Sequence, residues 1–210
     1  MAKLSQCART RNRLLLALPA SNLTQLLPKL RLVALPVRKS LFAAGADIDA
    51  VYFIESGWVS MVASLADGSQ AEVGFLGREG MTGGSLTNGV NTSFTEAFVL
   101  GEGSALRMEA KAFEQELEEN PELRRLSLRY NEAMHAQTMQ TAACNGRHNL
   151  EQRLARWLLM AHDRTDGDIL PLTQDFLSKM LCVYRPTITV VAGTMQRAGI
   201  IRGSCRVPGW

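Results

Sequence analysis

Short apolar runs broken by glycine fill the chain from Leu32 to about Met108. Val51-Tyr52-Phe53-Ile54 and Trp58-Val59-Ser60-Met61-Val62 predict two strands, and Ser56-Gly57 between them predicts a turn. Asp67-Gly68 lies between two further apolar runs and is a strong hairpin signal. This region is therefore predicted to form a β-barrel or sandwich.

A helical period replaces the strand pattern after this region. Asn120-Pro121-Glu122 sets a cap, a first-turn proline and an acid in the order that starts a helix. Asn145-Gly146 supplies a stop signal, which gives a helix roughly 35 Å long. One seam recurs at three- to four-residue steps along it: Leu123, Leu126, Tyr130 and Met134, with Gln137 and Thr141 as weaker members. This seam is predicted to pair with a symmetry mate, to cover the barrel, or to do each over a different part.

Two short helices joined by a tight turn are predicted near the C-terminus, after a helix from Leu150 to about Asp163. Thr173 suits the N-cap of the first helix, which ends near Cys182. Pro186 suits the first turn of the second helix, and Gly199 ends it. The second helix has one core-facing stripe: Ile188, Val191, Ala192 and Met195.

This helix pair fits a helix-turn-helix, in which the second helix enters the major groove of DNA. From periodicity alone a plain αα-hairpin is an equal alternative. Arg185 is the strongest base-reading candidate, since a guanidinium pairs with guanine O6 and N7, and Val190 suits a thymine methyl group. The predicted DNA-contacting residues are Thr173, Tyr184, Arg185, Thr187, Thr189, Val190, Gln196 and Arg197.

Composition and charge fit this organisation. The 210 residues, 46% of them hydrophobic, suffice for two modest domains with a core each. No run of eighteen or more apolar residues is present, so neither a membrane span nor a signal core is predicted, and the expected compartment is the cytoplasm. Residues 1–120 hold 11 basic and 13 acidic residues, whereas residues 147–210 hold 9 basic and 5 acidic ones. The C-terminal end is thus the candidate for binding a polyanion.

The spacing of the cysteines argues against metal sites and disulfides. The four cysteines are far apart and form no cluster with metal-ligand spacing, so no disulfide framework, zinc site or other cofactor is predicted. The sequence also lacks a nucleophile-elbow motif and a phosphate-binding loop, and a catalytic function is therefore not expected.

Three stretches of the sequence resemble the Crp/Fnr family of bacterial regulators. Residues 172–201, which read LTQDFL, VYRPTIT and QRAGII at the matching points, resemble the winged helix-turn-helix of that family. Tyr52-Phe53-Ile54-Glu55-Ser56-Gly57 resembles the strand-turn signature of its effector β-roll, and Leu76-Gly77-Arg78-Glu79-Gly80-Met81 resembles the segment that enters its effector pocket.

The resemblance implies an α+β chain in three parts. Residues 1–119 would form an antiparallel, jelly-roll-like effector β-roll, residues 120–146 a long dimerisation helix, and residues 147–210 a winged helix-turn-helix with a shortened wing. It further implies a cytoplasmic homodimer bound to palindromic double-stranded DNA, with RNA polymerase and a small-molecule effector as candidate partners.

The effector region departs from the cyclic-AMP-binding members of that family. Those members have a glutamate after the pocket glycine and an arginine-serine pair for the phosphate, whereas here Met81 follows Gly80 and the stretch from Asn91 to Thr95 has no arginine. A phosphate buried without a cation would be costly, so weak or absent cyclic AMP binding is expected. The predicted pocket suits an uncharged ligand or is a packed core, and its lining residues are Gly80, Met81, Leu86, Ser93, Phe94 and Thr95.

The DNA-binding end has departures as well. Cys182 stands in the turn where the family usually has glycine, and the wing has at best one strand, near Gly203 to Val207. A sensor module with a decayed DNA-binding half, acting through protein contacts, is therefore the alternative function.

Overall fold

The computed structural model describes residues 10–68 and 70–203. Within these residues one antiparallel sheet has the strand order β1-β6-β3-β4, while β2 also pairs with β6 and β5 with β3. The strands are β1 (Arg31–Leu35), β2 (Ser40–Phe42), β3 (Ala50–Ser64), β4 (Gln70–Leu76), β5 (Met81–Thr82) and β6 (Glu96–Glu109).

Helices lie before and after this sheet, which confirms the predicted α+β class with an N-terminal antiparallel sheet, a long helix and C-terminal helix-turn-helix elements. The α-helices are α1 (Arg13–Leu16), α2 (Ala20–Leu26), α3 (Ala110–Glu119), α4 (Pro121–Arg147), α5 (Leu150–His162), α6 (Gln174–Met180) and α7 (Arg185–Arg197). Short 3-10 helices span Leu27–Lys29 and Gly84–Asn88.

The predicted turn at Ser56-Gly57 is wrong, because β3 runs through it as one strand of 15 residues. The pairing of β3 with β6 shifts register on both sides of this point, so the strand bulges where a turn was expected. Gly57 has φ +73°, and a Cβ there would lie 2.3 Å from the Gly101 carbonyl oxygen. The glycine thus serves a close approach of two strands rather than a chain reversal.

The hairpin predicted at Asp67-Gly68 is confirmed. It joins β3 to β4, with Ser64 paired to Gln70 next to the loop, and Gly68 has φ +81°. This β3–β4 hairpin extends from the roll toward the C-terminal helices.

Helix α4 begins as predicted, since the Asn120 side chain caps the Leu123 N–H, but it continues through Asn145-Gly146 and ends at Arg147. Its predicted seam packs on the roll: Leu123 and Tyr130 are buried there, and Met134 contacts the same core. This part of the seam covers the protein's own barrel, so a symmetry mate would have to use another face.

The apolar residues form two clusters. One fills the roll and includes the N-terminal helices, α3 and the first half of α4. The other lies among α5, α6 and α7, but three of its members, Trp58, Val62 and Phe75, belong to the roll strands β3 and β4. The C-terminal helices therefore share a core with the β3–β4 hairpin.

Candidate DNA-reading surface and effector position

Helices α6 and α7 form the predicted pair. The Thr173 hydroxyl accepts a hydrogen bond from the Phe176 N–H at 3.1 Å and so caps α6, as predicted. Helix α7 starts at Arg185 with Pro186 in its first turn, and Gly199 follows its end with φ +73°. Ile188, Ala192 and Met195 of α7 are buried in the second core, while Val191 is partly buried against it.

Burial of that stripe fixes which side of α7 faces outward. Val190 is 68% exposed, and Arg197 lies two turns further along the same side. The face between them is small and of low polarity, since Gly193 lies there and the Thr194 hydroxyl donates to the Val190 carbonyl at 3.2 Å. Such a face suits close approach to a major groove with contact to apolar base edges.

The predicted DNA-contacting residues differ in how free their side chains are. Arg185 is exposed at the first position of α7, and its guanidinium has no hydrogen bond or ion pair with another described residue. Tyr184 before it is 86% exposed. Thr187 is exposed as well. The guanidinium of Arg197 instead donates to the Thr194 hydroxyl at 3.1 Å. Arg185 is therefore the most available cation of the set.

Two further predicted DNA-contacting residues, Thr189 and Gln196, contact other parts of the protein. The Thr189 hydroxyl donates to Oε1 of Gln174 at 2.7 Å, which ties the start of α6 to α7. Gln196 packs against the chain after α7, where a Cβ on Gly203 would lie 2.0 Å from its amide nitrogen. The sequence-based prediction did not include Gln174 and Thr194, which bond to the predicted residues Thr189 and Arg197. Gln174 could have been found from its position directly after the cap Thr173, and Thr194 from its helical spacing.

The turn between α6 and α7 holds a residue other than glycine in a strained backbone conformation, as the sequence indicated. Cys182 has φ +52°, in the left-handed region that favours glycine. Here the Val183 N–H bonds back to the Ser178 carbonyl at 3.0 Å, which closes the end of α6. The Cys182 thiol also donates to the Gln70 carbonyl of β4 at 3.1 Å, and burial raises the pKa of this thiol.

The wing is largely outside the described residues. Residues 198–203 contain no strand, and the strand predicted near Gly203 to Val207 falls almost wholly on residues 204–210, which the structure does not describe.

The predicted effector pocket is mostly packed. Met81 and Leu86 are buried in the core of the roll. A Cβ on Gly80 would lie 2.3 Å from the Tyr130 hydroxyl, which donates to the Met81 carbonyl at 2.9 Å. Burial raises the pKa of Tyr130, so the hydroxyl stays protonated. Helix α4 therefore covers the Gly80 segment directly.

The second half of the predicted lining needs a correction. Phe94 is 83% exposed and lines no enclosed pocket, because it lies at the tip of the segment that leads into β6. The buried Ser93 hydroxyl donates to the Thr95 carbonyl at 2.6 Å, so its polar group is used within this segment. Between Gly80 and Thr95 the sequence has no lysine or arginine that could face an anion.

Models of two protein families match the chain. A cyclic nucleotide-binding domain matches residues 32–120, and a Crp-like helix-turn-helix domain matches residues 152–207. The chain is a transcription regulator of the Crp/Fnr type. The resemblance drawn from the three sequence stretches is thereby confirmed, and so is the reading of α6 and α7 as a helix-turn-helix rather than a plain αα-hairpin.

Solved structures show the same fold at low sequence identity. The c-di-GMP-responsive global regulator CLP from Xanthomonas campestris is 16% identical with a TM-score of 0.71, over 89% of this chain and 96% of that one. FixK2 from Bradyrhizobium japonicum is 15% identical with a TM-score of 0.73, over 84% of this chain and 89% of that one. The CRP-family regulator TTHB099 from Thermus thermophilus is 17% identical with a TM-score of 0.67, over 83% and 88%. A search of curated protein sequences gives no significant match.

Among residues 10–68 and 70–203, no three His, Cys, Asp or Glu side chains form a group that could hold a metal ion. In the same ranges, none of the helices is long and apolar enough to cross a membrane.

Proposed function

We propose that this regulator binds a palindromic operator as a homodimer, with α7 in the major groove of each half-site and without control by cyclic AMP. The observation that carries the proposal is the exposed Arg185 guanidinium, which has no partner among the described residues, at the start of a helix whose outward face is open. Arg185 would read guanine, Val190 would meet a thymine methyl group, and Tyr184 and Thr187 would contact the phosphate backbone.

A second copy of the chain is proposed to pack on the face of α4 that points away from the roll. At about 100° per residue, Met139 lies roughly 20° around the helix from Leu128, whereas Tyr130 lies roughly 200° from it. Leu128 is 42% exposed and Met139 is 52% exposed. They belong to a seam with alternating four- and three-residue steps, the spacing of a two-helix contact: Leu128, Glu132, His135, Met139, Ala142 and Gly146.

Independence from cyclic AMP is supported by the packing around Gly80. The phosphate of a cyclic nucleotide needs a cationic partner when it is buried, and residues 80–95 contain none. Tyr130 also fills the space over Gly80. An uncharged effector and RNA polymerase remain proposed partners, and the proposed compartment is the cytoplasm.

Selection of duplexes from a random pool by the full-length protein tests the proposal. A palindromic motif should be enriched, with affinity that falls steeply as salt concentration rises, because bound phosphates release counterions. Enrichment of a single half-site would contradict the dimer. Absence of binding at low salt would contradict DNA binding and favour the alternative, a sensor that acts through protein contacts.

A further inference from the structure

Glu72 of β4 joins the roll to the DNA-binding helices through its two carboxylate oxygens. Oε2 accepts a hydrogen bond from the buried Ser60 hydroxyl on β3 at 2.7 Å. Oε1 accepts one from the indole Nε1 of Trp157 on α5 at 2.8 Å. Of these hydrogen bonds, the first lies within the roll and the second crosses to the C-terminal helices.

The Trp157 side chain packs between the roll and the C-terminal helices. Only 6% of it is exposed, and its ring meets Phe75 of the roll at 5.6 Å and Trp58 at 5.9 Å. On its other side it meets Phe176 of α6 at 5.9 Å. Because aromatic pairs prefer particular edge-to-face arrangements, these contacts favour one placement of α5 and α6 against the roll. Helix α7 packs on α6 and follows it.

The surroundings of Glu72 leave little freedom. A cavity of about 30 Å³ beside it has room for about one water molecule. The groups facing this site from α4 and α5, and from the loop after α5, include four that are charged or titratable: Cys144, Arg153, Arg156 and Arg164. Burial raises the pKa of Glu72 to about 7, although the hydrogen bonds from Ser60 and Trp157 and the charges of Arg164 and Arg156 act in the opposite direction.

We propose that Glu72 is a positioning residue for DNA binding: by holding the Trp157 indole against the roll, it fixes the direction in which α7 faces. The inference rests on the proposed function, because a dimer must present two α7 helices to half-sites about one helical turn of DNA apart. A fixed junction avoids the entropic cost of ordering both domains at the moment of binding. A single half-site does not impose that requirement.

The pH dependence follows from the two states of the carboxyl group. Its pKa is about 7 with the domains docked, and its ordinary value of 4.5 applies when the junction opens to water. Docking thus favours the neutral carboxyl group, and docking is strongest below pH 4.5. Docking weakens as pH rises from 4.5 to 7, by about 300-fold at most, and changes little above 7. Affinity for a two-half-site duplex should therefore fall between pH 6 and pH 8.

Binding of selected full-site and half-site duplexes at pH 6 and pH 8 tests the inference with three variants. Glu72→Gln keeps a carbonyl for Trp157 and an amide for Ser60 but cannot ionise. It should bind the full site at least as tightly as the wild type at pH 6, and its advantage over the wild type should grow by up to about tenfold by pH 8. Glu72→Ala also cannot ionise; it should lose about tenfold relative to the wild type on the full site at pH 6, less at pH 8, and little on the half-site. Glu102→Gln, an exposed carboxylate on β6, is the matched control and should change nothing.

Two outcomes overturn the inference: parallel pH profiles of the wild type and Glu72→Gln, or equal losses by Glu72→Ala on full and half-sites. Tryptophan fluorescence of the protein without DNA tests the contact between Glu72 and Trp157 separately from the proposed function. A transition near pH 7 that is lost in both Glu72→Gln and Trp157→Phe would establish the titrating contact. If the wild type with this transition failed to bind DNA, the proposed function would be wrong and the positioning role would fall with it. Absence of the transition would contradict the contact itself.

Discussion

Replacement of Gly80 by alanine tests how α4 covers the effector position. The new Cβ would lie 2.3 Å from the Tyr130 hydroxyl oxygen and 2.4 Å from Cε2 of the same ring, far inside van der Waals contact. The ring must move, which costs about 1–3 kcal/mol for overpacking. Its hydrogen bond to the Met81 carbonyl is lost as well, at about 0.5–1.5 kcal/mol. The free energy of unfolding should therefore fall by about 2–4 kcal/mol.

Urea unfolding followed by circular dichroism measures this change, with Gly193→Ala as the matched control. At Gly193 the nearest atom to a new Cβ is 3.6 Å away, on Arg197. The helix interior favours alanine over glycine by about 0.5–1 kcal/mol. The same substitution should thus destabilise at one glycine and stabilise at the other. A Gly80→Ala protein within about 0.5 kcal/mol of the wild type would refute the packed effector position and indicate open space there.

Three further predictions concern the turn, the dimer and the ligand. Cys182→Gly should be more stable than Cys182→Ala by about 1 kcal/mol in urea unfolding, since only glycine relieves φ +52°, and equal stabilities would contradict a strained turn. Leu128→Glu should convert the dimer to a monomer in sedimentation velocity, because it places a charge in the proposed contact, whereas the exposed Leu65→Glu in the β3–β4 hairpin loop should leave the dimer intact. Titration calorimetry should show no cyclic AMP binding tighter than about 1 mM, and micromolar binding would overturn the account of residues 80–95.

Local signals predicted much of this fold. Asp67-Gly68 specified a hairpin by its own backbone preferences, and Thr173 specified a helix start because its hydroxyl caps a nearby N–H. Ser56-Gly57 misled because a positive-φ glycine serves either a turn or a bulge, and only the partner strand β6 decides between them. The stop at Asn145-Gly146 failed by a residue or two because α4 ends where Asn149 can cap α5.

The site was predicted less completely, for reasons that lie in tertiary packing. Periodicity found the stripe of α7 that is buried, and hence Val190 on the open side. It could not show that Thr189 is tied to Gln174, or that Glu72 meets Trp157 across 85 residues of sequence. Phe94 was expected in a pocket because its stretch, Asn91 to Thr95, matches the effector region of the family, yet its side chain is exposed, as single apolar residues on protein surfaces commonly are. The domain bounds at residues 119 and 146 and the wing stay predictions.

Affinity of the wild type and Arg185→Ala for the selected duplex, and for duplexes changed one base pair at a time, tests DNA reading by α7 most directly. The account predicts that Arg185→Ala costs about 1–3 kcal/mol and removes the preference at one base pair in each half-site, while the other positions keep theirs. A uniform loss over all duplexes would make Arg185 a phosphate contact. Unchanged affinity and unchanged preference would contradict the placement of α7 in the major groove.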